Sequence, residues 1–486
     1  MAKSIKLNFI YNILYQFLAI SLPLITAPYL SRVLGAEQIG EYSYTYSIAN
    51  YFVLFAMLGI TNYGQRCVAK VRANHNELSK VFSEIYTMQL LSCAVVLIAY
   101  LLFAASATGN RLLVLLWLPY IISAALDVNW LFFGLEEFGV TVTRNFIIKL
   151  ASFALTLLLV RGDHALLIYI ALMALSFFCS NVALVPFVRK RTSFVCPSVL
   201  DVCKHIKPNL LLFIPVIAIS VYNILDKVML GAISDMVQTG YFENSFKVAS
   251  MPFVFISALG TVMLPRMASL VSEGNRSLEL RYLGCSFWIV SVLSSAFLFG
   301  ILAIAPEFVP VYFGDGFEPC VEVISVIALD LPFMAWANVV RTQYLLPRGR
   351  DAEYVLSVVI GALVNVLVNM VAIPRFGALG AGLGTTFAEA SVCLVQLWSV
   401  RSELPLFAWF KGSIPSLFIG IAMFAAVRMT ASWVCGIPIG LLLLIVVGII
   451  VYASMQLAWL VYTKNSYFGL LLSALHGSER KARGRR

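Results

Sequence analysis

Charge is what this sequence has least of. Asp, Glu, Lys and Arg make up 12% of its 486 residues, where a soluble domain carries about 25%. Hydrophobic residues reach 61%, and together the two values exclude a soluble protein of this length. Histidine is scarcer still. His75, His164, His205 and His476 fall in expected loops or tails, far apart, so neither a zinc site nor a catalytic histidine is expected. The nine cysteines form no C-x-x-C pair, and only Cys320 and Cys435 fall near the expected outer face. No disulfide framework, metal or cofactor is anticipated. A phosphate-binding G-x-x-x-x-G-K-S/T loop is also missing, so ATP does not drive any step directly.

Long apolar runs are what is present. A bilayer core needs about 20 apolar residues per helix, and fourteen runs qualify. Six lie at about 9–31, 40–63, 82–104, 112–134, 142–160 and 165–187. Six more follow at 208–231, 238–263, 282–304, 321–346, 354–373 and 378–399, and the last two at 412–431 and 438–461. The reading is an all-α polytopic membrane protein. Its first run follows Lys3 and Lys6 but is too long for a signal peptide and lacks an A-x-A exit, so it reads as an uncleaved helix.

The net charge of +10 could suggest nucleic acid, but the placement of the basic residues excludes it. With alternating spans, 25 of the 34 Lys and Arg fall on one side. Only Arg32, Arg111, Arg161, Arg375 and Arg428 fall on the other. Basic residues accumulate on the cytoplasmic side of membrane proteins, so both termini are expected there. The connection carrying Glu307, Asp315, Glu318 and Glu322 has no Lys or Arg and suits an outer loop. The Arg-rich tail after His476 is expected to be solvated or to touch anionic headgroups.

The chain also repeats itself. Gly40 and Gly240 are 200 residues apart, as are Phe55 and Phe255, and Arg66 and Arg266. Leu34-Gly35-Ala36 recurs as Leu230-Gly231-Ala232, each expected at a helix-hairpin turn, and Arg161-Gly162 answers Arg375-Phe376-Gly377. Each copy holds six spans. An even number returns the chain to its starting side, so the copies are parallel repeats, a transporter design with the path between them. The expected division is a six-helix lobe over 1–195, a second over 196–402, and two extra spans with a basic tail over 403–486. Pro23 and Pro28 in the first span answer Pro208 and Pro215 in the seventh. Paired broken helices point to a transport path.

Charges at a helix centre cost about 2.5–3.5 kcal/mol on insertion scales and need a partner or water. They are few here: Asp127, Lys149, Asp226, Lys227, Glu243, Lys247, Asp330, Arg341 and Glu389. Counted by depth, Asp226 and Lys227 near the end of span 7 meet Glu243 and Lys247 at the start of span 8. Glu243 and Lys247 also share one helix face. The cluster reads either as a neutralised staple or as a wet cavity whose lysines meet an anionic headgroup. Ser43 and Ser47 are the 200-residue counterparts of Glu243 and Lys247. Asn12, Gln16, Thr26, Tyr42, Tyr44, Tyr46 and Asn50 add polar groups to spans 1 and 2, as helix glue or as cavity lining. The expected substrate-binding residues are Lys247, Lys227, Asn12, Gln16, Tyr46, Asn50, Lys149 and Arg341. Asp226, Glu243 and Glu389 are expected to couple an ion, H+ or Na+.

Several stretches resemble a known family. They are Asn8-Phe9-Ile10-Tyr11-Asn12, Leu22-Pro23 through Leu34-Gly35, Gly40-Glu41-Tyr42-Ser43 and Leu58-Gly59-Ile60. Asp127-Val128-Asn129-Trp130 through Glu136 follows, with Arg144-Asn145 and Lys149. The most specific are Asp226-Lys227-Val228-Met229-Leu230-Gly231, Gly240-Tyr241-Phe242-Glu243-Asn244 and Leu264-Pro265-Arg266-Met267. Gln343-Tyr344-Leu345-Leu346-Pro347 and Gly380-Ala381-Gly382-Leu383-Gly384-Thr385 through Glu389 complete the pattern over about 1–400. The chain resembles the polysaccharide transporters of the Wzx flippase type, in the superfamily that includes multidrug-and-toxin extruders and lipid II flippases. The resemblance implies two six-helix lobes in a V, opening alternately to either side in a bacterial inner membrane. Its implied cargo is an undecaprenyl-diphosphate-linked oligosaccharide for O-antigen, capsule or exopolysaccharide assembly. Membrane lipids, a polysaccharide polymerase and chain-length proteins are the implied partners, and the protein is not an enzyme. Nothing charged lies between Lys6 and Arg32, unlike the lipid II flippases, which carry arginines there. A small-molecule cation antiporter of the same superfamily is the alternative. A polysaccharide polymerase or ligase is a weaker one, since the longest outer loop is only about Pro306–Glu322.

Overall fold

The computed structural model describes residues 5–106, 110–434 and 439–463, without the side chains of 5–20, 138, 222 and 223. No strand occurs among the described residues. Among the described residues, twelve helical runs are long and apolar enough to cross a membrane. Two of them are hairpins. Helix Ile5–Met57 reverses at Gly35 (φ 70°, ψ 176°), and helix Asp351–Val400 reverses at Gly377 (φ 54°, ψ −126°). Resolved into their arms, the twelve runs are fourteen spans. A side chain at Gly35 would meet nothing within 4 Å. The glycine is there for its positive φ, which L residues adopt only with strain.

Each span is a helix because lipid leaves no other partner for backbone N–H and C=O groups. Span 3, His75–Ser106, illustrates the sorting of its side chains. Leu91, Val95, Ile98 and Leu102 are exposed along one face, while Ile85, Met88, Cys93 and Tyr100 are buried. The exposed apolar stripe is what lipid requires.

Several spans are interrupted. Span 4 is a chain of short helices, Arg111–Leu115, Leu118–Ser123 and Asn129–Gly134. Span 7 runs Val199–Ser220, widens into a π turn at Val221–Leu225, and ends as Asp226–Ile233. Span 8 is Met236–Ser250 followed by Phe253–Ser272. Span 10 contains a π turn at Arg341–Leu345.

Two expectations change. The helix passes through Pro23 and Pro28 without a break. Pro208 and Pro215 also lie inside a continuous helix, and span 7 departs from α geometry only beyond them. Membrane helices tolerate proline where neighbouring groups satisfy the freed carbonyls. The second hairpin turn also moves. Gly231 stays in the helix, and the chain turns at Ser234 (φ −113°, ψ −117°). Asp235 then caps span 8, its Oδ1 accepting the Gln238 N–H at 2.7 Å.

The chain divides into two compact units, Met1–Asn244 with Phe313–Gly316, and Ser245–Tyr312 with Phe317–Arg486. In the first, span 7 packs on span 3 and on the helix Ile60–Val71, around a core that includes Ile60, Val68, Phe82, Trp130 and Phe132. In the second, the core gathers Ile256, Met267, Phe287, Tyr344 and Trp409. Spans 13 and 14, Leu406–Val434 and Gly440–Thr463, pack on each other. They join span 9, Arg276–Phe313, through Met423, Val427, Leu444 and Ala303. The Tyr452 hydroxyl donates to the Val292 carbonyl at 2.7 Å.

Candidate transport site in the spans

The 200-residue repeat meets itself inside the first unit. A Cβ on Gly40 would stand 1.7 Å from the Met236 carbonyl oxygen. One on Gly240 would stand 1.9 Å from that of Ala36. Ala36 and Met236 are themselves 200 residues apart, so the contact is reciprocal: each glycine admits the backbone of the other repeat. Close crossings of this kind need a residue without a side chain. Gly231 serves a similar purpose, because a Cβ there would lie 2.3 Å from the Tyr44 ring.

One turn beyond the crossing stands an ion pair. Lys227 Nζ lies 2.6 Å from Glu243 Oε2, with the two side chains 15% and 8% exposed. The Ser43 hydroxyl, 200 residues from Glu243, donates to the same oxygen at 2.9 Å. The short distance and the added hydroxyl are what a buried pair needs to offset its desolvation. Asp226 is buried beside them in sequence, within electrostatic reach of Tyr51, whose hydroxyl donates to the Ser220 carbonyl at 3.1 Å. Lys247 is one helical turn beyond Glu243 on the same helix and belongs to the second unit.

An aromatic cluster adjoins the carboxylate. Tyr42, Tyr46 and Tyr169 lie within electrostatic reach of Glu243. Tyr42 meets Tyr169 at 4.6 Å between ring centres, and Tyr46 meets Trp117 at 5.2 Å. Trp117 donates to Thr45 Oγ1 at 3.1 Å, and the Tyr120 hydroxyl donates to Asn50 Oδ1 at 2.9 Å. Tyr46 and Asn50 therefore take part in a packed network. The side chains of Asn12 and Gln16 lie outside the described residues, as do Cys435 and the basic tail. Lys149 sits half-buried on span 5, Phe138–Leu159.

In the second unit Glu389 is buried at 8% exposure. No hydrogen bond or ion pair joins it to a described residue, and Arg341 is the cation that acts on it electrostatically. The Arg341 guanidinium lies 5.5 Å from the centre of the Tyr354 ring. The structure thus brings Lys227 and Glu243 together and leaves Arg341 and Glu389 unbonded.

Two networks were not anticipated. His205 is not in a loop. It lies in the helix Val199–Ser220, 5% exposed. Its Nδ1 is 2.7 Å from the Tyr63 hydroxyl and its Nε2 is 2.9 Å from Glu84 Oε2, which Lys204 also reaches at 2.9 Å. Hydropathy starts this helix at 208, which hides the histidine; Glu84 at the beginning of span 3 is the available signal. The second network holds the break in span 4. Asp127 Oδ1 accepts the Asn129 N–H and side-chain amide at 3.0 and 2.6 Å. Arg144 donates to Asn129 Oδ1 and to the Ser180 carbonyl at 3.0 and 2.7 Å. Among the described residues no group of three His, Cys, Asp or Glu could hold a metal ion.

A sequence profile described as "Polysaccharide biosynthesis protein" matches residues 5–271, over half of the chain. The chain belongs to this family. A protein of Escherichia coli (strain K12) named "Putative O-antigen transporter" is 24% identical over 411 residues, 82% of this chain and 97% of that protein. A protein of the same name from Shigella dysenteriae is 24% identical over 388 residues, 78% of this chain and 96% of that one. A solved structure titled "Lipid II flippase MurJ, inward closed conformation" matches with a TM-score of 0.77 at 13% identity, covering 94% of this chain and 100% of that chain. The last similarity is one of fold.

Proposed function

We propose that the chain is a flippase that moves undecaprenyl-diphosphate-linked oligosaccharides from the inner to the outer leaflet of a bacterial cytoplasmic membrane. Its relatives are named as O-antigen transporters, and its fold is that of a lipid flippase. The observation that carries the reading is the buried Lys227–Glu243–Ser43 triple beside the aromatic cluster, at the point where the two repeats cross. A diphosphate cannot cross hydrocarbon unaided. An amine held by one carboxylate can exchange that carboxylate for a phosphate, and the freed carboxylate can then take a proton.

In this reading 1–195 and 196–402 are the lobes that open alternately, with both termini cytoplasmic. An H+ or Na+ gradient supplies the energy through Glu243, Asp226 or Glu389. Lys247, Lys149 and Arg341 add cationic contacts for the cargo, with Tyr46, Asn50, Asn12 and Gln16 offering polar ones. A polymerase and chain-length proteins would receive the product.

The test follows fluorescent lipid-linked oligosaccharide in vesicles under an imposed pH or sodium gradient. Wild-type protein should move it faster with a gradient than without. A rate indifferent to both gradients would reject ion coupling, and movement of drug-like cations in place of the oligosaccharide would favour the antiporter. Cysteine labelling fixes the orientation: Gly316 should react from outside and Arg191 from inside once each is replaced by cysteine.

A further inference from the structure

Beside the ends of spans 3 and 6 the first unit contains a cavity of about 180 Å3, away from the buried ion pair. Phe82, Tyr86, Val128, Val188 and Phe194 supply most of its apolar wall, and Arg189 stands among the lining residues. The cavity opens to the surface, and a mostly apolar lining of this kind accepts an apolar guest.

The connection that closes the cavity is unusual. It leaves span 6 after the short helix Val185–Val188 and carries Arg189, Lys190 and Arg191 in succession. Arg191 is neutralised by Glu137 at 2.8 Å. Arg189 is exposed, and no ion pair joins it to a described residue. Lys190 lies 5.8 Å from the centre of the Phe187 ring. The following backbone is fixed to span 3: the Ser193 N–H donates to Ser79 Oγ at 3.1 Å and the Val195 N–H to Ser83 Oγ at 2.9 Å. Held in this way, the segment leaves Phe194, Val195, Val199 and Leu200 exposed. A fixed apolar patch with cations at its edge is costly in water. It suits the boundary between headgroups and acyl chains, where apolar groups enter the hydrocarbon and basic ones meet anionic lipid.

We propose that this cavity is a binding site for an anionic phospholipid of the bilayer, with an acyl chain among Phe82, Tyr86, Val128 and Phe194 and the phosphate on Arg189. The charge of the rim selects the headgroup, and the apolar wall selects the chain. A resident lipid here would tie span 6 to span 3 and hold the connection to span 7 at the membrane surface. The inference requires that the chain lies in a bilayer and does not depend on which cargo it moves.

The test uses the full-length protein in phosphatidylcholine nanodiscs containing a trace of phosphatidylglycerol with a photoactivatable acyl chain. Cross-linked peptides should include Phe82, Tyr86 or Phe194. Unlabelled phosphatidylglycerol should compete about fivefold better than phosphatidylcholine, the preference expected of one basic residue at an anionic headgroup. Arg189→Gln should abolish that preference and Arg189→Lys should keep it. Val188→Trp, which fills the cavity, should remove the adducts from these peptides. Adducts confined to other segments, or equal competition by the two lipids with the wild-type protein, would overturn the proposal. Undecaprenyl phosphate displacing the probe at lower concentration than phosphatidylglycerol would also overturn it and would assign the cavity to the cargo.

Discussion

Two buried carboxylates, one in each unit, are handled in opposite ways. Glu243 of the first unit has a lysine at 2.6 Å and a serine hydroxyl at 2.9 Å. Glu389 of the second unit is equally buried, with no bonded partner among the described residues and Arg341 acting only at a distance. Glu243 is bonded to a cation and a hydroxyl. No hydrogen bond or ion pair offsets the burial of Glu389 among the described residues, and Arg341 is the cation that acts on it. The parallel repeat therefore does not divide the work equally. One unit keeps a bonded ion pair, and the other keeps a buried acid with no bonded partner among the described residues.

The largest effect should come from breaking the bonded centre. Lys227→Ala removes the ammonium 2.6 Å from the buried Glu243, and losing one partner of a buried pair costs about 3–5 kcal/mol in folded proteins. The variant should show low membrane levels and early thermal unfolding in detergent. Lys227→Ala with Glu243→Gln should recover most of the stability, because both charges of the buried pair are then removed. If the single variant is as stable as the wild type, the pair does not hold this part of the first unit together.

The crossing beneath the pair comes next. Gly40→Ala and Gly240→Ala each place a methyl group on a backbone carbonyl, at 1.7 and 1.9 Å. Overpacking of this kind costs about 1–3 kcal/mol, occasionally more. Because the contact is reciprocal, the two losses should be similar. Gly412 of the second unit has nothing within 4 Å, and Gly412→Ala should be neutral or slightly stabilising, by ~0.5–1 kcal/mol. Unequal losses at Gly40 and Gly240 would show that the crossing is not symmetric in energy.

Composition and hydropathy were enough to read the fourteen spans, because lipid leaves a backbone few options. Internal likeness likewise marked the glycines. The repeat also misled: Leu34-Gly35-Ala36 and Leu230-Gly231-Ala232 match, yet Gly35 turns the chain and Gly231 clears room for Tyr44. A glycine needed for positive φ and one needed for close approach look alike in sequence. In the site, depth counting brought Lys227 to Glu243 correctly. It could not tell that Glu389 has no such partner among the described residues, since that depends on side-chain positions across spans 10 and 12. His205 was missed for a simpler reason. A polar residue before an apolar run reads as loop, although Glu84 and Tyr63 make its burial affordable.

A smaller effect on stability is expected at the unpaired acid, and there it sharpens the contrast. Glu389→Gln removes an ionisable group with no bonded partner among the described residues, so it breaks no ion pair, and the loss of stability should stay below the loss of about 3–5 kcal/mol expected for Lys227→Ala. Glu243→Gln, in contrast, removes the carboxylate that Lys227 meets at 2.6 Å. If Glu389 carries the coupling, the vesicle assay with Glu389→Gln should lose its response to a pH gradient while the protein remains folded. A gradient response unchanged in Glu389→Gln and lost in Glu243→Gln would place coupling in the first unit.

The smallest effect concerns charges that the second unit pairs outside its membrane core. Glu403, in the connection between spans 12 and 13, accepts a hydrogen bond from the Tyr344 hydroxyl. It also meets Arg350 Nη1 at 2.9 Å, and Arg350 in turn reaches Glu353 at 2.7 Å. The Tyr344 hydroxyl first, and Arg350 with it, hold the Glu403 carboxyl below its ordinary range. A lowered folded pKa sets the sign. Its contribution is fully present above the unfolded value of about 4.3 and is lost as pH falls through the lower folded value. Glu403 is 39% exposed, so solvent and salt screen much of that contribution. Glu403→Gln should therefore leave unfolding near pH 7 only slightly weaker and should flatten the acid limb below about pH 4.3. Added salt should reduce the difference between the two proteins. An acid limb as steep in Glu403→Gln as in the wild type would move the titrating group elsewhere. In that case the buried Glu279, which Arg348 meets at 2.6 Å and Arg276 at 3.2 Å, is the next carboxylate to replace.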